Sequence, residues 1–160
     1  MTDILRQAGA IPFRHDPEGL RVLLITSRDT GRWVIPKGGV ENGFTAAQAA
    51  AQEAYEEAGV KGIVSEIPLG IFTYSKRLHS GIEKPTTVEV YALQVEKLLK
   101  KWPERSERRL EWMPVSKAVE LVQEPGMALL LLRLEEIEAA KPATRSQPSR
   151  TGRDQNCALK

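Results

Sequence analysis

Three carboxylates, Glu53, Glu56 and Glu57, stand at i, i+3 and i+4. At 3.6 residues per turn this spacing places all three on one face of a helix. Glu53 and Glu57 are like charges at i, i+4 and repel each other. All three also fall in the last turns of the predicted helix, where the negative end of the dipole disfavours carboxylates. No basic residue stands three or four positions before any of them, and Lys61, four after Glu57, lies beyond the glycine that ends the helix. Two readings stay open: an acidic, solvated face, or a face whose repulsion is offset by a divalent cation. Carboxylates are hard oxygen donors suited to Mg²⁺ or Mn²⁺, ions that keep several waters and also bind substrate phosphates. The preceding Lys37-Gly38-Gly39 favours the second reading. Its glycines let the backbone approach a ligand closely, and Lys37 offers a point charge for phosphate.

The helix that positions these groups has clear local signals. Thr45 and Gln48 form a capping-box pattern. Ala46, Ala47, Ala49, Ala50, Ala51 and Ala54 have high helix propensity, and Gly59 stands where a C-terminal glycine ends helices. A helix over 45–58 follows. Upstream, the apolar runs 8–13 and 20–26 read as two strands of a hairpin, joined by turn chemistry over 14–19. Residues 33–36 read as a short extended piece limited by Pro36, with Lys37-Gly38-Gly39 as a loop. Downstream, 64–74 and 86–95 read as strands separated by a polar loop, and 110–115 as a short strand. Ser116 is expected to cap a helix reaching Gln123, broken by Glu124-Pro125-Gly126. A helix follows over 127–138, with Glu135, Glu136 and Glu138 as a solvated face. Strands interspersed with helices predict an α/β or α+β domain with a mixed sheet.

The 160-residue chain is 41% hydrophobic and 28% charged, near globular averages, which excludes collagen, coiled coil and wholesale disorder. Its length fits one domain, expected over 1–140, with a tail over 141–160. The tail holds five basic residues (Lys141, Arg145, Arg150, Arg153, Lys160) against Asp154, so its net charge is +4 and the first 140 residues carry −2. A nucleic-acid function read from the overall charge would rest on the tail, which is expected to be a disordered, solvated terminus. The single cysteine, Cys157, excludes an internal disulfide and a cysteine-based zinc site. The ending Cys157-Ala158-Leu159-Lys160 is read as polar tail, because its final Lys lies outside the usual prenylation set. No segment approaches the ~20 apolar residues of a membrane span, and the first residues lack a secretory pattern. A soluble, cytoplasmic protein without membrane partners is expected.

The stretch from Gly38 to Val60 resembles the Nudix box, in which a glycine is followed after five residues by Glu, then after seven by Arg-Glu, an aliphatic residue, any residue, Glu-Glu, any residue, Gly and an aliphatic residue. Gly38, Glu53, Glu56, Glu57, Gly59 and Val60 fall in register. Phe44 stands at the first Glu and Gln52 at the Arg. In the family those two residues mainly orient the metal-binding carboxylates, and losses of that kind cost about 10–100-fold. Gln52 can still donate one amide hydrogen bond. Outside the box, 31–39, 59–62, 70–72 and 109–112 are similar to diphosphoinositol polyphosphate phosphohydrolases and their bacterial relatives.

The resemblance implies a Nudix fold, a mixed sheet sandwiched between helices. It implies metal-dependent hydrolysis of a phosphoanhydride in a small pyrophosphate-containing substrate, either a dinucleoside polyphosphate or a diphosphoinositol polyphosphate. Alternatives are pyrophosphate removal from nucleoside triphosphates or RNA 5′ ends, the one nucleic-acid partner considered, and a non-catalytic domain that binds a polyphosphate. Glu53, Glu56 and Glu57 would hold Mg²⁺ or Mn²⁺ with the Gly38 carbonyl, and Glu53 is the first candidate for the water-activating base. Arg32, Lys37, Gly38, Gly39, Lys76 and Arg77 are the candidate substrate contacts. Arg28, His79 and Lys84 would join the same basic mouth if the loops converge. Glu89, in a region from which some members take a further carboxylate, is read as a solvated strand residue. Trp33 and Tyr74 are read as core or rim packing rather than base-stacking groups, and Trp102 and Trp112 as packing.

Overall fold

The apolar run near the start forms the spine of the protein. In the computed structural model, which describes residues 3–142, β1 (Leu5–Asp16) is buried continuously over positions 7–13. A strand buried on both faces reads as an unbroken apolar run rather than an alternation. β1 pairs antiparallel with β2 (Gly19–Thr26) and parallel with β7 (Glu83–Leu98), Leu5 standing opposite Thr86. The hairpin turn is tighter than expected. The strands run to Asp16 and from Gly19, and Asp16 Oδ1 accepts the N–H groups of Glu18 and Gly19 at 2.8 and 3.1 Å.

β3 (Trp33–Val34) and β8 (Leu110–Met113) add to β2, and β5 (Val60–Val64) and β6 (Gly70–Arg77) add to β7. Lys37–Gly39, expected as loop, is instead β4, paired with β1 through Gln7, Ala8 and Gly9. The single strand expected over 64–74 is two strands interrupted at 65–69, where the side chain of Ser65 turns back to the Ile67 carbonyl. The result is a mixed eight-stranded sheet.

The period-two alternation of the strands sends residues to opposite layers. Leu23, Ile25, Tyr91 and Leu93 face α1 (Ala46–Ala58), where Ala49, Ala50, Ala54 and Ala58 allow close approach. Val22, Leu24, Val88 and Val90 face the other way, onto α2 (Val115–Leu121) and α3 (Pro125–Ala140), packing with Ala118, Met127, Leu130, Leu131 and Leu134. The fold is therefore the expected α+β sandwich. Among the described residues, no helix is long and apolar enough to cross a membrane.

Three local expectations fail for physical reasons. Pro114, not Ser116, holds the N-cap position of α2: its carbonyl accepts the Lys117 and Ala118 N–H groups at 3.1 Å, and no side chain caps the helix. Pro125 starts α3, since a residue without an N–H fits a first turn whose N–H groups are unpaired anyway. Glu138 is 6% exposed and receives His15 and Lys141, so that part of the acidic end belongs to the packed layer. The tail over 143–160, Cys157 included, lies outside the described residues.

Candidate active site

α1 places the carboxylates. The Thr45 hydroxyl accepts the Gln48 N–H at 3.1 Å, and the Gln48 side chain accepts the Thr45 N–H at 2.9 Å. Gly59 ends the helix with φ 67°, a left-handed conformation that glycine adopts freely. The Trp102 ring occupies the space where a Cβ at position 59 would sit. Between these ends, Glu53 and Glu57 reach the segment that contains β4, and Glu56 lines a small pocket beside it.

Each carboxylate meets a different neighbour. The Glu53 carboxyl lies against Gly38, where any side chain would collide with it. Glu56 accepts a hydrogen bond of 2.8 Å from the Gln52 amide, one turn earlier on the same helix. Glu57 is 7% exposed. Its Oε1 accepts the Lys37 backbone N–H at 3.3 Å, and its Oε2 is 3.6 Å from the Arg108 guanidinium. Burial pushes the Glu57 carboxyl up to about 8, against the pull of Arg108, and its contact with Glu53 pushes in the same direction as burial. Burial also raises Glu53, with the charge of Glu56 adding to the rise.

Arg108 was not among the sequence candidates. Its side chain is 9% exposed, and it donates to Glu104 at 2.8 Å and to the Thr26 carbonyl at 3.0 Å. The stretch after β7 wraps the end of α1: the Leu99 N–H donates to the Gly59 carbonyl at 2.8 Å and the Glu104 N–H to the Glu56 carbonyl at 3.0 Å. Helix ends leave carbonyls without partners, and this segment supplies them along with the counter-charge that local sequence lacks.

The raised carboxyls carry a stability consequence. The folded state holds protons on Glu57 and Glu53 at pH values where the unfolded chain has released them. Metal-free protein is therefore expected to lose stability as pH rises from 4.5 through about 8. The carboxylates whose affinity for protons is lowered, Asp16, Glu111 and Glu138, act at more acid pH and do not oppose this trend. Lys37, whose ammonium burial pushes down, contributes in the opposite sense as pH rises, so the trend is read in the Lys37→Met background. Thermal melting in chelator at pH 5.5 and 8.5 checks it; equal or higher stability at the alkaline pH would contradict it.

Beside the acidic face lies a cavity of about 550 Å³ lined by the cations Arg32, Lys37, Lys76 and Arg77 against the carboxylates Asp29 and Glu83, together with Tyr74 and Gln123; Arg77 is paired with Glu83 at 3.5 Å. Four of the predicted substrate contacts thus converge. Arg32 is fixed by Glu124 at 2.9 Å and donates to the Gln123 side-chain amide oxygen at 3.1 Å. Lys37 Nζ sits 5.0 Å from the centre of the Tyr74 ring, and burial pushes its ammonium down while Glu57 and Glu124 hold it up. A bound anion would favour the charged form. Gly38 and Gly39 lie instead on the acidic side, against Glu53 and in a small pocket with Glu56 respectively. Arg28 is tied to Glu107 at 2.9 Å, and neither it, His79 nor Lys84 lines the basic cavity.

Glu89 departs from the solvated reading. It is half-buried, aligned through Ala8 with Gly38 across the sheet, and accepts the Tyr91 hydroxyl at 2.9 Å. It lines a cavity with Arg6, Val40 and Ala46. Trp102 packs on Gly59 as expected, Trp112 lies under the Arg14 guanidinium, and Trp33 lies near that of Arg109. Tyr74 lines the basic cavity and donates to the Gln7 side chain.

Among the described residues, no three His, Cys, Asp or Glu side chains are gathered as a ready metal cluster. Glu56 is turned to Gln52, and Glu57 to Lys37 and Arg108. The donor set nonetheless fits a hard divalent cation: three carboxylates on adjacent turns, one of them against a backbone whose missing Cβ leaves it room.

Comparison with known proteins agrees with this arrangement. The NUDIX domain family model matches residues 5–134. The chain is 38% identical over 133 residues to Nudix hydrolase 16, mitochondrial, of Arabidopsis thaliana, covering 75% of this chain and 73% of that protein. It is 36% identical over 120 residues to diphosphoinositol polyphosphate phosphohydrolase 2 of Rattus norvegicus, covering 74% and 63%. The chain spans as little as 52% of the curated relatives it matches. In fold it is similar to a C. elegans Ap4A hydrolase in a binary complex (TM-score 0.65, 22% identity, 86% of this chain and 99% of that one). It is also similar to the NUDIX domain of Shewanella oneidensis NrtR complexed with ADP ribose (TM-score 0.66, 16% identity, 86% and 90%). With its glutamate triad on α1 and this breadth of match, the chain belongs to the Nudix hydrolase family, as an enzyme of the pyrophosphohydrolase type.

Proposed function

We propose that the chain hydrolyses a phosphoanhydride bond in a polyphosphorylated small molecule, a dinucleoside polyphosphate or a diphosphoinositol polyphosphate, with Mg²⁺ or Mn²⁺. The observation that carries this reading is the junction of two opposite surfaces at Lys37. Its side chain lines the basic cavity while its backbone N–H is held by Glu57 of the acidic face. A substrate with several phosphates meets cations on one side and carboxylates able to bind a metal on the other.

The residues then divide the work. Arg32, Lys37, Lys76 and Arg77 hold the phosphates that are not attacked. Glu53, Glu56, Glu57 and the Gly38 carbonyl would hold the metal, which, when bound, neutralises phosphate charge and makes water a better nucleophile. Glu53 is the first candidate to take the proton from the attacking water. Gln52 holds Glu56, and Arg108 holds Glu57. The non-catalytic alternative draws on Phe44 and Gln52, yet Gln52 still donates a hydrogen bond to Glu56.

The test is hydrolysis of a panel with Mg²⁺ and with Mn²⁺: diadenosine tetra-, penta- and hexaphosphate, a diphosphoinositol polyphosphate, nucleoside triphosphates, ADP-ribose and 5′-triphosphate RNA. Metal-dependent turnover preferring one of the first two classes is expected. Preference for triphosphates or RNA ends would favour that alternative, and tight binding without turnover would favour a binding domain.

A further inference from the structure

The two departures from the Nudix box meet in space. Phe44 and Gln52 both line the small acidic pocket that holds Glu41, Glu53 and Glu56. Both also line a larger cavity, about 720 Å³, on the outer side of α1, with Gln48, Tyr55 and Lys61. The cavity and the acidic floor therefore share a wall, and the two residues that form it are those that differ from the motif.

The walls of this cavity differ from those of the basic mouth. Phe44 is 41% exposed, so its ring is available to a ligand. The polar groups are mostly neutral amides. The Gln48 oxygen is used by the helix cap and the Gln52 nitrogen by Glu56. That leaves a donor NH₂ on Gln48 and an acceptor oxygen on Gln52, one turn apart on the same helix face. Lys61, the one cation in the lining, is placed over the Tyr55 ring at 5.2 Å. With Glu41, Glu53 and Glu56 adjoining, this is a poor site for more phosphate. It suits a flat, neutral ring with a donor–acceptor edge.

We propose that this cavity receives a nucleobase of the substrate, with Phe44 as the stacking platform and the Gln48 and Gln52 amides facing the base edge. The inference rests on the phosphoanhydride-hydrolase reading and deepens it, since it selects the nucleotide class over the inositol class. Phe44 is thus a specificity-determining residue: an exchange of a charged orienting group for a ring that every base can stack on.

The test compares diadenosine tetraphosphate with a diphosphoinositol polyphosphate, which has no base, on the full-length protein. Phe44→Ala is expected to lower the ratio of their kcat/KM values by about 10-fold, chiefly through KM for the dinucleotide, and Phe44→Trp to restore it. In parallel, adenosine is titrated into metal-free protein and followed by NMR of the side-chain amides. Shifts at Gln48 and Gln52 that vanish in Phe44→Ala support the site. A ratio that moves less than about 2-fold, or adenosine shifts confined elsewhere, would overturn it. Absence of turnover on both compounds counts against the hydrolase reading, and the adenosine titration then decides this site by itself.

Discussion

Glu57→Gln is expected to lower kcat by about 10³-fold, because a metal contributes several kcal/mol to such a reaction and each 1.36 kcal/mol is tenfold. Glu57 is the buried member of the triad and the one that touches both the β4 backbone and Arg108. Glutamine keeps its shape and removes its charge. The same change should abolish any rise in melting temperature that Mg²⁺ or Mn²⁺ gives the wild type. Glu56→Gln should behave alike in turnover. Steady-state assays on the preferred substrate, paired with melting curves with and without metal, check both. Turnover within about tenfold of wild type, with metal stabilisation retained, would remove Glu57 from the metal site.

Arg108→Met should destabilise the fold by about 3 kcal/mol, since removing one partner of a buried ion pair leaves the other uncompensated. For a chain of this size that corresponds to a fall in melting temperature of roughly 6–12 °C. The loss has two parts: Glu57 and Glu104 lose their cation, and the Thr26 carbonyl loses its donor. Combining Arg108→Met with Glu57→Gln should recover part of the loss, because the stranded carboxylate is gone. Melting of the two single variants and the double variant at pH 8.5, where Glu57 is more fully ionised, measures the coupling. Strict additivity would mean that Arg108 acts through Thr26 and Glu104 alone.

What could be read from the sequence was what neighbouring residues settle among themselves. Thr45, Gln48 and Gly59 fix both ends of α1 through contacts within a turn, so the helix and its acidic face were legible. So was the basic mouth in part, because Arg32, Lys37, Lys76 and Arg77 are close to the strand ends that bring them together. Arg108 was not legible: it meets Glu57 through a wrapped segment far along the chain, with no periodic signal. Lys37–Gly39 read as loop because its strand character comes from pairing with β1, not from its two glycines. Glu138 looked solvated because nothing near it in sequence shows that His15 lies beside it.

The parallel pairing of β1 with β7 bears on how the protein is made. Ribosomal synthesis delivers Leu5 long before Thr86, its partner across the sheet, and Arg108 later still. Until then the emerging chain can form the β1–β2 hairpin and α1, but the apolar spine keeps one edge open and the glutamates on α1 lack their cation. Domains complete only when their long-range partners have been translated. The nascent chain therefore passes through an interval in which an exposed strand edge and an unneutralised acidic helix coexist. A ribosome stall between these two points would hold it there, open to capture by chaperones.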